Sequence, residues 1–241
     1  MSETANTLVV EPSKRWTISA RRGLQIIFAA LLIYAGLDLF WPLHRDVRQF
    51  DPAAVGRLET QMWRSYYDRK PVALFLQLAE TLRTQYQFPL LRSYLGAYHA
   101  TSAAFRFKDG HQRSDYEAAL PGLQSYFGTI RNTTNLEFDT RRAAALELEW
   151  WIVHREATNY SRGALGQACA EVAAYVYGLP LDSTLEHGRL RAAAMVLRDV
   201  RGNAGEVTGA DWMQIESLLR QSYQSLHRAV VGAMSNSTAR P

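Results

Sequence analysis

A carboxylate stands inside an apolar stripe at Glu59. Over the stretch RLETQMWRSYYDRK, Arg57 to Lys70, a helical period lines Val55, Leu58, Met62, Trp63 and Tyr66 along one face and sets Glu59 among them. Two other places share this pattern. Glu186 and Arg189 fall on the side of Leu185, Ala193, Val196 and Val200, three residues apart and so able to meet. In ALELEWWIVHRE, Leu146, Trp150, Val153 and Ala157 make the stripe, while Glu147 and His154 flank it on one edge, seven residues apart.

An isolated ionised group taken out of water costs on the order of several kcal/mol, so each of these must find a counter-charge, keep water or change protonation. The plainest outcome is an interhelical ion-pair network, with Glu59 on Arg189 and Glu186 on Arg189 or His154. The same residues could instead line a pocket, because perturbed titratable groups gather at functional sites. There Glu59 would exchange a proton with Tyr66, Tyr67 or His154 as a general acid–base group. The candidate catalytic set is Glu59, Tyr66, Glu147, His154, Glu186 and Arg189.

Glu59, Glu147, His154 and Glu186 also form a conceivable transition-metal set, since carboxylates and imidazole suit iron or manganese inside a helical bundle. Their spacing opposes it. A Glu-x-x-His pair would put two ligands one turn apart, and the chain has none; Glu147 and His154 are separated by a rise of about 10 Å, too long for one ion. No cofactor is expected.

Other chemistries lack their marks. There is no phosphate-binding Gly-x-x-x-x-Gly-Lys loop, no Gly-x-Gly-x-x-Gly, no Gly-x-Ser-x-Gly elbow, no His-Glu-x-x-His and no calcium loop. The lone cysteine, Cys169, excludes an internal disulfide, and beside Leu165, Val172 and Val176 it reads as a small buried hydrophobe. Lys plus Arg number 27 against 23 Asp plus Glu, a net charge of +4, and the basic residues never run beyond pairs such as Arg141-Arg142. A phosphate-tracking basic block is absent, so nucleic acid is not an expected partner.

These side chains must be positioned by helices. Between Asp51 and Gly232 a helical period recurs, with no alternating strand beside a hairpin turn. Start signals at Asp51-Pro52, Lys70-Pro71, Phe88-Pro89, Ser114-Asp115, Asp139, Ser161, Asp182 and Thr208 predict about eight helices, over 52–69, 71–87, 89–107, 115–131, 139–158, 161–178, 182–201 and 208–231. Pro121 inside the fourth span implies either a kink or a fresh start. On the third span, Leu91, Tyr94, Tyr98 and Phe105 read as the apolar face, with Arg92 and His99 opposite at the surface. The expected class is all-α, a single globular bundle. The second choice is a short α-solenoid of hairpins beginning near 52, 89, 139 and 182, but these units share no motif and no common period.

Ahead of the bundle, GLQIIFAALLIYAGLDLFWPL, residues 23–43, has 21 residues interrupted only by Gln25 and Asp38, which at about 1.5 Å per residue spans a bilayer core. Phe28-Ala29-Ala30 and Tyr34-Ala35-Gly36 put an aromatic residue where signal cleavage needs a small one, so the segment reads as an uncleaved anchor. Asp38 falls near its end, at headgroup level. Lys14, Arg15, Arg21 and Arg22 precede it and Arg45, Arg48 and Arg57 follow, which sets the N-terminus in the cytoplasm and the helical domain outside. The expected organisation is a basic, disordered segment at 1–22, the anchor at 23–43, an all-α domain at 44–232 and a disordered tail at 233–241.

The functional expectation is a non-catalytic accessory module that holds or assembles a membrane or membrane-proximal protein at the bilayer. The alternatives are a bundle enzyme or metal protein built on the carboxylate and histidine set, and a lipid or small-hydrophobe site in an aromatic cleft near Trp63, Tyr66 and Trp150.

Overall fold

A computed structural model describes residues 20–161 and 163–238. The polar stretch before residue 20 and the last three residues of the predicted tail lie outside them. Among the described residues the chain forms helices α1 (Ala20–Phe40), α2 (Pro52–Tyr67), α3 (Pro71–Thr84), α4 (Leu90–Lys108), α5 (Arg113–Glu117), α6 (Leu120–Thr133), α7 (Thr140–Arg155), α8 (Ala164–Tyr177), α9 (Leu185–Asn203) and α10 (Gly209–Thr238), with no strand. The all-α expectation holds. The chain divides into two compact units, Met1–Leu37 and Asp38–Pro241.

The first unit carries most of α1. Its stretch Arg21–Phe40 has a mean hydropathy of 1.9 and is long and apolar enough to cross a membrane, by length and composition.

The second unit is built by the punctuation of the sequence. Asp51 caps α2 by accepting the Ala53 N–H at 2.8 Å, with Pro52 pre-setting the first turn. Asp139 caps α7 through the Arg142 N–H at 2.7 Å. Gly178, at φ +64°, ends α8 in a left-handed conformation that a side chain would strain. Pro121 starts a fresh helix rather than a kink, which splits the predicted 115–131 span into α5 and α6. At the other end α10 runs to Thr238, past the predicted stop at 231, because no proline intervenes before Pro241.

Helices adjacent in this order pack on one another: α2 on α3, α3 on α4, α4 on α6, then α6, α7, α8, α9 and α10 in turn. The last packs back on the first, α10 on α2, so the eight long helices close into a ring. A solenoid would leave those terminal helices unpaired; the bundle keeps solenoid-like neighbours and removes its ends. Closure depends on missing side chains. A Cβ on Gly56 of α2 would lie 2.7 Å from the Arg220 nitrogen of α10, and one on Gly188 of α9 would lie 2.0 Å from the Gly166 oxygen of α8. The wall is filled by Leu123, Phe127, Phe138, Leu148 and Ile152 on one side and by Phe50, Val55, Leu226 and Val230 on another. Each such side chain contributes about 1.5–3 kcal/mol by burial.

Two faces are inverted relative to the sequence reading. On α4 the small residues Ser93, Gly96, Ala97, Thr101 and Ala103 are buried while Tyr94 and Tyr98 are exposed. On α9, His187, Gly188, Leu190, Ala194 and Met195 are buried while Leu185, Val196 and Val200 are exposed. Hydrophobicity drew the stripes through bulky residues, whereas closely approaching helices select small ones. Arg92 moves inside with its face, at 2% exposure, and His99 is half-buried.

Asp38 belongs to this second unit. It is buried, and its carboxylate accepts the Arg92 N–H at 3.1 Å and the Leu91 N–H at 3.2 Å, capping α4, whose N-cap residue Pro89 has no side chain able to do so. Arg92 answers through its guanidinium, donating to the carbonyls of Asp38, Trp41 and Asn132. One buried cation thus ties the entry of the chain to α4 and α6. The sequence reading gave the Asp38 carboxylate no protein partner; here it has two backbone donors of α4.

Candidate functional site

The ring lines a partly open cavity of about 270 Å³. Six residues of α2 line it, Val55, Glu59, Met62, Trp63, Tyr66 and Tyr67, which is one helical face spaced at three and four residues. The other helices contribute Ala100, Ala104 and Phe107 of α4, Leu123 and Tyr126 of α6, Glu147, Trp150, Trp151 and His154 of α7, Arg191 and Met195 of α9 and Tyr223 of α10. Ala100 and Ala104 hold the space open. Glu147, Arg191, Tyr126 and Tyr223 sit deep in the domain yet are only half-buried by surface, because they face this space.

Glu59, 4% exposed, receives a cation from another helix. The partner is Arg191, not Arg189: Nη2 lies 2.6 Å and Nε 3.1 Å from Glu59 Oε1, and Trp63 Nε1 donates to the same oxygen at 3.2 Å. Burial works against the Arg191 charge, but Glu59 holds the guanidinium protonated, well above its ordinary value. The guanidinium also lies 4.6 Å over the Trp150 ring. Glu59 Oε2 and Trp150 Nε1 are both buried and make no hydrogen bond.

Glu147 accepts from Trp151 Nε1 at 3.0 Å. Burial pushes its carboxyl above the ordinary range, an effect that Arg191 and the indole partly offset. Burial likewise raises the Tyr126 and Tyr223 phenols, so they stay protonated. The walls are therefore mainly aromatic, with one internally balanced ion pair.

The end bordered by Tyr66, Tyr67 and His154 is different. Lys108 Nζ stands 4.1 Å from the Tyr66 ring centre and Arg198 lies 3.3 Å over Tyr67. Burial, then the nearby Arg69, Arg198 and Arg155, lower the Lys108 pKa. His154 meets Asp199 at 2.7 Å, while Glu186 takes the other of its two expected partners, Arg189, and Asp199 also pairs with Arg198 at 3.2 Å.

Of the sequence candidates, the structure brings Glu59, Tyr66, Glu147 and His154 to one cavity and leaves two outside. Glu186 and Arg189 do pair, at 2.7 Å, but on the surface with half or more of each side chain exposed. This removes Glu186 from the proposed metal set, and among the described residues no three His, Cys, Asp or Glu side chains gather in a way that could hold an ion. Trp63, Tyr66 and Trp150 share the cavity, as the aromatic-cleft expectation supposed. Cys169 is buried at the back of this wall beside Trp150 and Met195, and burial pushes its thiol up to about 12, consistent with a packing role. Sequence reasoning missed Arg191, Tyr126, Tyr223 and the Asp199 partner. The only available signal for Arg191 was its place one turn after His187, on the face of α9 that small residues define.

Fold and site together define an all-α ring with an aromatic interior cavity. No family model matches the chain, and neither curated proteins nor solved structures give a match.

Proposed function

We propose that the protein is a membrane-anchored receptor for a small, largely apolar molecule carried inside the helical ring. The observation behind this reading is the cavity itself: about 270 Å³ lined by aromatic and aliphatic walls, with Glu59 Oε2 and Trp150 Nε1 left without a hydrogen bond among its lining residues. An apolar cavity of roughly 150 Å³ is enough to hold a benzene-sized molecule, so this one suits a compound of about two rings or a short acyl chain. In this reading α1 remains as an uncleaved anchor, with the domain on the extracytoplasmic face, where the anchor keeps the receptor among bilayer-soluble ligands.

The test is solvent extraction of the full chain purified from its membrane, followed by mass spectrometry, alongside Ala104→Phe, which fills the cavity. A small molecule stoichiometric with the wild type and missing from the variant is the expected result. Identical extracts containing bulk lipid alone would end the proposal.

A second reading, the accessory module that docks a partner protein, draws on the apolar residues Val72, Leu76, Tyr94, Leu95 and Tyr98 exposed on α3 and α4. A photocrosslinker at Tyr98 that captures no other protein in native membranes would count against it.

A further inference from the structure

The cavity has specific unmet demands, and they describe its ligand. Three donors, Arg191 Nε, Arg191 Nη2 and Trp63 Nε1, converge on a single oxygen of Glu59. Its other oxygen, Oε2, is buried at the cavity wall without a hydrogen bond, and so is the N–H of Trp150, a residue 9% exposed. A buried acceptor or donor left unmet costs about 1–3 kcal/mol, so a molecule that meets these atoms gains affinity over one that only fills space. Tyr223 interacts with the Glu59 carboxylate and Glu147 with the Trp150 indole, but neither contact reaches full hydrogen-bond geometry at these two atoms.

Charge narrows the class. Arg191 already balances Glu59, at 2.6 Å. An anion placed deep in the cavity would lose its water beside the Glu59 carboxylate, and a cation there would have to compete with Arg191, with Lys108, Arg155 and Arg198 gathered near Tyr66 and Tyr67. A neutral hydroxyl incurs neither cost, and it both donates and accepts.

Resting on the receptor reading above, we infer that the ligand is an uncharged, mainly apolar molecule bearing a hydroxyl, which donates to Glu59 Oε2 and brings its oxygen toward the Trp150 Nε1–H. The hydroxyl is bound at the Glu59–Arg191 pair, and the carbon skeleton lies against Tyr86, Leu82, Leu123 and Tyr126. These residues line the same cavity.

The experiment is calorimetric titration of the full chain in amphipol with four two-ring probes: naphthalene, 1-naphthol, 1-naphthoate and 1-naphthylmethylammonium. The Ala104→Phe protein in the same amphipol serves as the blank for partition. The expected result is that 1-naphthol binds about tenfold or more tighter than naphthalene, and tighter than either ion. In Trp150→Phe the ratio of naphthol to naphthalene affinity falls toward one. Equal affinity for naphthalene and naphthol would overturn the hydroxyl assignment while leaving the receptor reading in place. Tightest binding of the naphthoate would overturn it in favour of an anion at the Lys108 and Arg198 end, and tightest binding of the ammonium would overturn it in favour of a cation. Binding of no probe beyond the blank would overturn both readings.

Discussion

Arg191 and Glu59, from α9 and α2, meet through one carboxylate oxygen, with Nη2 at 2.6 Å and Nε at 3.1 Å from Oε1. This pair joins the two helices that flank α10, at the cavity wall. Removing one member strands the other in a low-dielectric wall, so Arg191→Met should cost about 3–5 kcal/mol. The double variant Glu59→Gln with Arg191→Met should lose less than the two single changes summed. Urea denaturation of the full chain measures this cycle, and strictly additive losses would mean that the contact carries no coupling.

Glu147 should respond in the opposite sense. Its carboxyl is raised by burial, so the folded state holds the proton more tightly than the unfolded chain. The resulting stability is complete below the unfolded value of 4.5 and is lost as pH rises through the higher folded value. Glu147→Gln should therefore raise the melting temperature at pH 8, and the gain should vanish near pH 4.5. A gain that is independent of pH would contradict the assignment.

His187 supplies acid sensitivity. It is buried, with Nδ1 2.8 Å from Ser222 Oγ, and burial followed by repulsion from Arg191 lowers its pKa from 6.5 to about 4. A depressed pKa on a base means that the stability is present above 6.5 and is lost as pH falls from there through 4. The span corresponds to about 3 kcal/mol at most. Denaturation midpoints of His187→Gln should decline less than wild type over that window, and parallel declines would remove His187 as the cause.

Gly188 tests ring closure. A Cβ there would sit 2.0 Å from the Gly166 oxygen, a backbone atom that cannot swing away. Gly188→Ala should separate α8 from α9 and cost several kcal/mol, on the order of the largest single-residue effects. A melting temperature within about one degree of wild type would show that the helices are not in backbone contact.

The sequence disclosed the helices well because prolines and capping aspartates mark their starts: Pro52, Pro71 and Asp139 begin helices where the reading placed a signal, and Pro121 takes the fresh start that the reading had set beside a kink. It also disclosed Glu59, since a carboxylate on an apolar stripe is conspicuous in one dimension. The partner was not legible. Arg189 and Arg191 are two residues apart, which on a helix is about 200°, and choosing between them required knowing which face of α9 turns inward. That face is written in Gly188, Ala194 and neighbouring small residues, whose value lies in letting backbones approach, and a hydrophobicity stripe gives them little weight. Ring closure was hidden for the same reason, because the contact of α10 with α2 at Gly56 joins residues far apart in the chain.

The central claim, that the ring carries a small molecule, is tested most directly by a high-resolution crystal structure of the protein purified from its own membranes. The account predicts continuous density inside the cavity, within hydrogen-bond distance of Glu59 Oε2 and against the Trp150 ring. A cavity occupied only by separate water peaks, or closed by inward rotation of Trp63 and Trp150, would contradict it.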